Sequence, residues 1–464
     1  MAEYQGREAF IPYRRTDLIE LCIEDGLLSG DEAEQFRRFC EILAAYYHYR
    51  SQATIEALKD AFAPYNPDCD TRVLRNYDEA ALARCEAILV QAFEQVLQRA
   101  NYIPLSHDEL QEAFRSESLI PVKTSVDFND YERIICYYRG DNFITVSRKR
   151  WLRRIDLEVD NLQRVALLLK FKDEAYFQAK GVKRDRLNFT PGKLYLYLYK
   201  NIPRHDLELL FPNVNIHMSW KDRLLFGIPA IGAAIPLLLK ILPSLGLIIG
   251  ALLLLLLGPE VAANIVPEIH SSAHLYTILA ATLSVGMTLG GFAVKQYNTY
   301  KNKRLKFLKQ VTDTLFFKNL VTNQGVLHTL VDAADEEECK EIILAYYHLL
   351  TARRPLTREQ LDDRIEQWME ERFAVQVDFD IAKTLQNMQA LCAPNEEYGR
   401  HKISDGERKL LHIDEQGRCR VLELHRALAL IDYIWDHVFQ YTDRAVAQLA
   451  PALAERQKGM PDSA

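Results

Sequence analysis

One region of the chain is far more apolar than the rest. Residues 224–258 contain a single charge, that of Lys240, and residues 275–294 contain none. Because a helix rises about 1.5 Å per residue, an uncharged run of about 20 residues approaches the roughly 30 Å hydrocarbon core of a bilayer. The pattern predicts a transmembrane hairpin whose two helices span residues 241–257 and 273–294.

The first apolar segment begins irregularly. Residues 224–239 contain Pro229 and Pro236, which interrupt the hydrogen-bond ladder of a helix. We interpret this part as an interfacial or re-entrant segment rather than as a separate span. Lys240 then stands at the start of the first span, where its side chain can reach the interface or contact a ligand.

Basic residues flank this hydrophobic region, which is assigned to residues 221–296. The connection at residues 259–272 has two glutamates and neither Lys nor Arg. By the positive-inside rule, both large flanks and both chain ends then lie on the cytoplasmic side. The basic residues after the second span are predicted to face anionic lipid head groups. They are Lys295, Lys301, Lys303, Arg304 and Lys306.

The flank before the hairpin changes character part-way along. Residues 1–118 contain amphipathic patterns and helix caps, which predict a helical region. Residues 119–220 are richer in β-branched and aromatic residues, and LYLYLY at 194–199 alternates like a strand with two distinct faces. RIICYYR at 133–139 predicts another strand, ended by a turn at Gly140-Asp141. This part is predicted to be a small antiparallel α+β domain.

The flank after the hairpin is dominated by helical patterns. Within residues 297–450, a capping box at 357–360 predicts one helix start, and LLHIDEQGRCRVL at 410–422 predicts a β-hairpin. Three helices, a hairpin and a final helix are the order of a winged-helix-like domain. The helix in the recognition position, residues 380–391, has a single basic residue, which favours a protein-binding or structural wing over nucleic-acid binding. Residues 451–464 are predicted to be a disordered tail.

The composition narrows the function classes. A net charge of -7 argues against a nucleic-acid binder, which needs a basic surface. Eight scattered cysteines without a CxxC pair favour reduced thiols over disulfides or a zinc site. The sequence has no glycine-rich phosphate loop and no hydrolase motif. We therefore predict no cofactor and no metal, and we favour a non-enzymatic role.

Two short segments carry candidate ligand contacts. Arg139 could clamp a phosphate or a carboxylate, although the simpler interpretation is a solvated Arg in a hairpin turn. Arg204, His205 and Asp206 are adjacent candidate ligand contacts. His205, Asp206 and Glu208 could also be metal ligands or an acid–base set. The alternative is a helix start, with Pro203 in the first turn and acidic residues near the positive end of the helix.

One eight-residue pattern occurs twice. EILAAYYH at 41–48 parallels EIILAYYH at 341–348. A duplicated helical module would explain this echo, and so would a chance match between two amphipathic helices.

Several segments resemble a known family. The most specific are NIPRHDLELLFPN at 201–213 and KEIILAYYHLL at 340–350, and REAFIPYRRTDLI at 7–19 and YERIICYYRG at 131–140 add to them. Together they resemble domain-of-unknown-function family 3754, whose animal member is the mitochondrial transmembrane protein 143. The resemblance implies membrane residence and brings no established catalytic residues. Because the N-terminus lacks an organelle-targeting pattern, a bacterial inner membrane is favoured, and a mitochondrial membrane applies if the source is eukaryotic.

These observations combine into one prediction with two alternatives. The chain is predicted to be an α+β membrane protein with two transmembrane helices as a hairpin, acting as a membrane-anchored scaffold. Its expected partners are the bilayer with its anionic head groups and a protein partner or a second copy. The first alternative is an oligomeric channel or transport component with Lys240 in its path. The second is a membrane-associated hydrolase or transferase near Arg139 and Asp206.

Overall fold

The contacts within the chain define two units. Unit 1 consists of Met1–Ser116, Asp127–Leu207 and Lys318–Ala464, and unit 2 consists of Glu117–Val126 and Glu208–Phe317. The computed structural model describes residues 8–68, 74, 76–106, 108–110, 123–150, 153–217, 272–393 and 408–438. The predicted segment 224–239, Lys240, the span 241–257 and the tail 451–464 all lie outside these residues.

Helices and antiparallel strands make up most of the described chain. The helices are α1 (Arg15–Glu24), α2 (Gly30–Phe62), α3 (Glu79–Arg99), α4 (Glu174–Ala179), α5 (Ser272–Lys318), α6 (Gln324–Leu350), α7 (Arg358–Phe373), α8 (Ile381–Ala390) and α9 (Leu424–Asp436). The strands are β1 (Ile103–Pro104), β2 (Lys123–Ser125), β3 (Tyr131–Arg150), β4 (Arg153–Phe171), β5 (Leu194–Pro203), β6 (Asn215–His217), β7 (Asn319–Thr322), β8 (Leu356–Thr357), β9 (Leu411–Ile413) and β10 (Arg418–Val421). A 3₁₀ helix covers Arg204–Leu210.

Helix α6 is the centre of unit 1. Its first half packs Val326, Leu330 and Ala334 into a core with the sheet and α3. Its second half packs Ile342 and Tyr346 into another core with α2, α7 and α8. Each of these five side chains is at most 1% exposed. A helix with apolar positions on several faces must bury them all, and α6 does so by joining two cores, while His328, Thr329 and Asp332 in its first half remain exposed.

The sheet of unit 1 is antiparallel, in the order β1-β3-β4-β5-β7. In β5, Leu194, Leu196 and Leu198 point into the core, while Tyr195 and Tyr197 lie on the other face with their ring centroids 6.2 Å apart. Alternation along a strand places successive side chains on opposite faces. The predicted strand with two distinct faces is confirmed.

The predicted turn at Gly140-Asp141 is wrong, because β3 continues through it to Arg150. Along β4, Arg139 pairs with Arg164 and Asp141 pairs with Leu162, so the ladder resumes directly after the glycine. Gly140 has a φ of 70°, which a residue with a side chain adopts only with strain. The glycine therefore marks a local irregularity inside a long strand rather than its end.

The C-terminal part of unit 1 has the predicted order of elements. Helices α6, α7 and α8 are followed by the hairpin β9–β10 and then by α9. The short strand β8 joins the hairpin in a three-stranded sheet with the order β8-β10-β9. Thr357 and Gln360 form the predicted capping box at the start of α7.

Unit 2 contains a short strand pair and most of the longest described helix. Strands β2 and β6 pair antiparallel, with Lys123 opposite His217. Helix α5 has 47 residues, which corresponds to a length of about 70 Å. The predicted second span, residues 273–294, is only the first part of this helix.

The prediction of a membrane protein is corrected by the character of the helices. Within the part of the chain that the structure describes, no helix is both long enough and apolar enough to cross a membrane. In α5 the hydroxyls of Thr288 and Thr299 donate to the carbonyls of Ser284 and Lys295, and the helix runs on without a break into its basic half. On this finding, the transmembrane hairpin and the multi-pass localisation are wrong. The described fold is a mixture of helices and antiparallel sheet.

Replacing Gly140 with Ala tests the backbone irregularity in β3. A Cβ at this position would lie 2.8 Å from Gln163 Cδ and 3.0 Å from Phe10 Cε1. Strain at positive φ costs about 1–2 kcal/mol, and the contacts add to it. Gly140→Ala should therefore lower the free energy of unfolding by about 2 kcal/mol or more in urea titrations.

Gly192→Ala is the matched control, because Gly192 has a φ of 73° and nothing within 4 Å of the added Cβ. It should lose only the backbone contribution, about 1 kcal/mol. Equal losses for the two variants would show that the contacts with Gln163 and Phe10 do not matter.

Candidate functional site

A layer of buried charges crosses unit 1 between its two hydrophobic cores. On α6, Ala334 belongs to one core and Cys339 to the other. Between and beside them, four acidic side chains, each at most 6% exposed, face basic side chains from α3, β3, α6 and α8. We call these residues the buried charge layer: Asp335, Glu337, Glu338, Glu341, Arg99, Arg139, Lys340 and Lys383.

Arg99, at the end of α3, binds two of the acids. Its Nε and Nη2 donate to the two carboxylate oxygens of Glu338, each at 2.9 Å, and Nη2 also lies 3.2 Å from Asp335 Oδ1. Ser51 Oγ donates to the same Asp335 oxygen. Burial alone would raise the pKa of Glu338, but the guanidinium of Arg99 holds it below its ordinary value. The pKa of Asp335 is raised by burial to about 6.

Glu337 and Lys340 bind the N-terminal segment to α6. Lys340 Nζ donates to Glu337 Oε1 at 2.7 Å and to the carbonyl oxygen of Ile11 at 2.6 Å. The backbone N–H of Ile11 donates in turn to Glu337 Oε2 at 3.1 Å. Arg139 Nη1 lies 3.7 Å from Glu337 Oε1, and its guanidinium lies over the ring of Phe10 at 4.8 Å. The N-terminal segment, β3 and α6, which are distant in sequence, therefore meet at one ion pair.

Glu341 and Lys383 join α6 to α8. Glu341 Oε1 accepts from Asn101 Nδ2 at 2.9 Å and from Lys383 Nζ at 3.4 Å. Lys383 Nζ also donates to Arg99 O and Asn101 Oδ1, both at 2.9 Å. Glu341 Oε2 is buried and has no hydrogen-bond partner among the described residues. Burial raises the pKa of Glu341 to about 7, and the nearby Glu337 and Glu338 add to the effect.

The sequence-predicted ligand contacts are only partly brought together. Arg139 lies in the buried charge layer, with a side chain 16% exposed, so it is not the solvated turn residue of the simpler interpretation. Arg204 Nη1 donates to Asp160 Oδ2 at 3.1 Å, and Asp206 is buried. His205 lies with both in the 3₁₀ helix Arg204–Leu210, which agrees with the alternative of a helix start. Among the described residues, no cluster of three or more His, Cys, Asp or Glu side chains could hold a metal ion.

A groove of about 580 Å³ lies between α1, α2 and α6, and it reaches Asp335 at the edge of the buried charge layer. Two arginines stand in its wall. Arg15 lies 3.2 Å from Glu336, and Arg37 makes two hydrogen bonds to Glu20, at 2.8 and 2.7 Å. Both arginine side chains of this groove are thus already paired with carboxylates of the protein.

Large exposed apolar side chains collect on α5. Tyr276, Leu283, Met287, Val294 and Tyr297 are between 59% and 78% exposed. Their spacing places them on one face of the helix, where residues three, four and seven apart are neighbours. We call this face the α5 stripe. The predicted lipid contacts Lys295 and Lys301 are exposed on the same helix, and α5 also contains Lys303, Arg304 and Lys306.

The middle of the chain matches the model of a known family. Residues 162–325 match the model of a family described as a protein of unknown function, DUF3754. This match extends from β4 to the first residues of α6 and covers less than half of the chain. It confirms the resemblance to the DUF3754 family in that segment. No solved structure matches the chain.

Sequence reasoning missed most of the buried charge layer. The signal that could have revealed it is DEEECKE at 335–341, a run of charges inside a helix that is apolar before and after it. A surface helix would place such a run on its solvated face, but in α6 four of the five acidic side chains of the run are buried, and only Glu336 is partly exposed. The run itself indicates that countercharges must arrive from elsewhere in the chain.

Arg99→Met tests whether the layer holds unit 1 together. The change leaves Glu338 and Asp335 buried without their shared countercharge, so the free energy of unfolding should fall by about 3–5 kcal/mol. Urea titration followed by circular dichroism measures it. Arg37→Met removes an exposed Arg that pairs with Glu20 just as closely, and this control should shift the midpoint little. Similar shifts for the two variants would contradict a special role for the layer.

Glu341→Gln tests the pH dependence that the layer confers. Because the pKa of Glu341 is raised from 4.5 to about 7, the folded state binds this proton more tightly than the unfolded state. Stability should therefore fall as the pH rises from about 4.5 to 7, by up to about 3 kcal/mol at 1.36 kcal/mol per unit. In Glu341→Gln this decline should become shallower. Asp335 and Asp362 contribute to the part that remains, because burial raises the pKa of each to about 6 and so acts in the same direction.

The measurement is a series of urea midpoints between pH 4.5 and 8, and the slope with pH is the readout. Glu41→Gln changes the exposed glutamate that matches Glu341 in the sequence echo, and its slope should equal that of the unmodified chain. An unchanged slope in Glu341→Gln would refute the assignment of this proton to Glu341.

Proposed function

We propose that the protein is a non-enzymatic scaffold that binds a helix of another polypeptide along the α5 stripe. The observation that carries this proposal is the row of large apolar side chains, each more than half exposed, on one face of α5. Contiguous exposed apolar patches of this kind mark interaction sites, and a face with helical spacing fits a helical partner.

The ionisable groups of unit 1 support a structural rather than a chemical role. Arg139, the sequence candidate with the strongest anion-binding character, is held by Glu337 and by the ring of Phe10. Lys383, the basic residue of α8, donates inward to Arg99 O and Asn101 instead of facing solvent. Helix α8 stands in the predicted recognition position, and its one basic side chain is bound inside the protein. This arrangement favours a protein partner over nucleic acid.

We also propose that the family relationship extends beyond the matched segment, to proteins such as the animal transmembrane protein 143. Two of the resembling sequence segments, at 7–19 and 340–350, lie outside residues 162–325. Both contribute to the buried charge layer, through Ile11 and through Glu341. Relatives that share these segments should therefore share the layer.

Site-specific photocrosslinking in cells tests the scaffold proposal. A benzophenone amino acid at Leu283, which is 62% exposed, should give a product on a denaturing gel that is larger than the chain alone. The same amino acid at Thr299, on the opposite side of α5, should give none. Combining the Leu283 probe with Met287→Glu should abolish the product. A charge next to the probe would have to be buried in the apolar contact between the two helices, which is unfavourable. A probe that gives no larger product, or one that is unaffected by Met287→Glu, would refute the proposal.

A further inference from the structure

The positions of the α5 stripe follow an exact heptad pattern. When the small residues between the large ones are included, successive members are separated by 4, 3, 4, 3, 4 and 3 residues. The members are Tyr276, Ala280, Leu283, Met287, Gly290, Val294 and Tyr297, and every one of them is exposed. An alternation of threes and fours is the spacing with which one helix packs along another in a coiled coil. The occupant of this face is therefore a helix with the same repeat.

From this pattern we infer that the occupant is the α5 stripe of a second copy of this chain, packed antiparallel. The inference rests on the proposed function and names its partner. Lys301 continues the repeat one step further, so the interacting part of each helix extends over residues 276–301. That length corresponds to about 39 Å of helix, or more than three heptads.

Side-chain size favours the antiparallel direction. In the register that places Met287 of one copy opposite Gly290 of the other, Ala280 lies opposite Tyr297, and Leu283 lies opposite Val294. Each small residue then faces a large one, so the two helices keep an even distance along their length. In a parallel pair in register, Gly290 would face Gly290 and Ala280 would face Ala280, which leaves two gaps between contacts of two large side chains each.

Charge favours the same direction. From Lys295 onward α5 carries seven basic residues and one acidic residue, Asp313, whereas the helix from Leu275 to Val294 carries no charge. A parallel pair would bring the two basic halves side by side, which is unfavourable for like charges. An antiparallel pair overlaps the uncharged halves and directs the basic halves away from each other. Lys301 then lies opposite Tyr276, where a cation can rest on an aromatic ring.

The exposed area is adequate for a stable pair. A tyrosine buries about 150–250 Å², and the stripe has two tyrosines together with Leu283, Met287 and Val294. Their exposed fractions of 59–78% bring the stripe close to the roughly 800 Å² per partner of a standard interface.

Native mass spectrometry of the purified full chain gives the first test. The unmodified chain should be a dimer, and the double variant Leu283→Glu with Met287→Glu should be a monomer. Its far-UV circular dichroism spectrum should match that of the unmodified chain, because both side chains are exposed in the single chain and its fold does not need them. The matched control, Thr288→Glu with Thr299→Glu, places the same two charges off the stripe and should remain a dimer. A purified chain that stays monomeric, whether free or bound to lipid vesicles, would overturn the inference.

Cysteine pairs determine the direction. Chains with Leu283→Cys and chains with Val294→Cys should form an intermolecular disulfide efficiently only when they are mixed, and peptide mapping should identify the 283–294 link. The unmodified chain, oxidised in parallel, gives the background from its own thiols. Efficient self-linking of Leu283→Cys alone would show a parallel pair and overturn the antiparallel arrangement.

The two proposals fail in different ways. If the Leu283 photoprobe gives a product in cells but the purified chain is monomeric, the stripe binds a different protein, and only the inference of a second copy is wrong. If the photoprobe gives no product and the purified chain is monomeric, both proposals are wrong.

Discussion

The bidentate pair between Arg99 and Glu338 is the interaction on which unit 1 depends. A carboxylate in a protein interior is tolerated only with a well-placed countercharge, and Glu338 is 4% exposed. That requirement fixes the end of α3 against the middle of α6. Ser51 of α2 and Lys383 of α8 then join the same layer through Asp335 and Glu341. The hydrophobic cores on either side supply the driving force for folding, and the charges determine which elements meet between them.

Local features of the fold could be predicted, because their causes lie within a few residues. The capping box of α7, the two-faced strand β5 and the hairpin β9–β10 follow from spacing over two to thirteen neighbouring residues. The octapeptide that occurs twice, at 41–48 and 341–348, shows what local patterns cannot predict. Glu41 and Glu341 occupy the same place in nearly the same octapeptide, yet Glu41 is exposed and Glu341 is 2% exposed. Their different environments come from Asn101 and Lys383, which no local pattern could have associated with one of the two.

The candidate sites were predictable to different degrees. The uncharged run at 273–294 was visible in the sequence, and its helical form agrees with the prediction. Its interpretation as a membrane span was not upheld by the described helices. An uncharged run shows how much apolar surface a helix has, but not what surrounds that surface. In this helix, residues with hydroxyl groups and glycines also reduce the apolar surface. The heptad spacing within the run, by contrast, is a property of the sequence that the length of the run does not reveal.

Two features of the described chain depart from the usual placement of charged side chains outside and apolar side chains inside. Unit 1 buries the charged side chains of Asp335, Glu337, Glu338, Lys340 and Glu341, while α5 exposes tyrosines and aliphatic side chains. The buried charges can be satisfied within the chain, because acids and bases come together as unit 1 folds. Exposed apolar side chains gain nothing from contact with water, and a face of α5 that is open over six turns is stabilised only when another surface covers it. The buried charges of unit 1 thus find countercharges within the chain, whereas the exposed stripe of α5 is the surface for which we propose a partner.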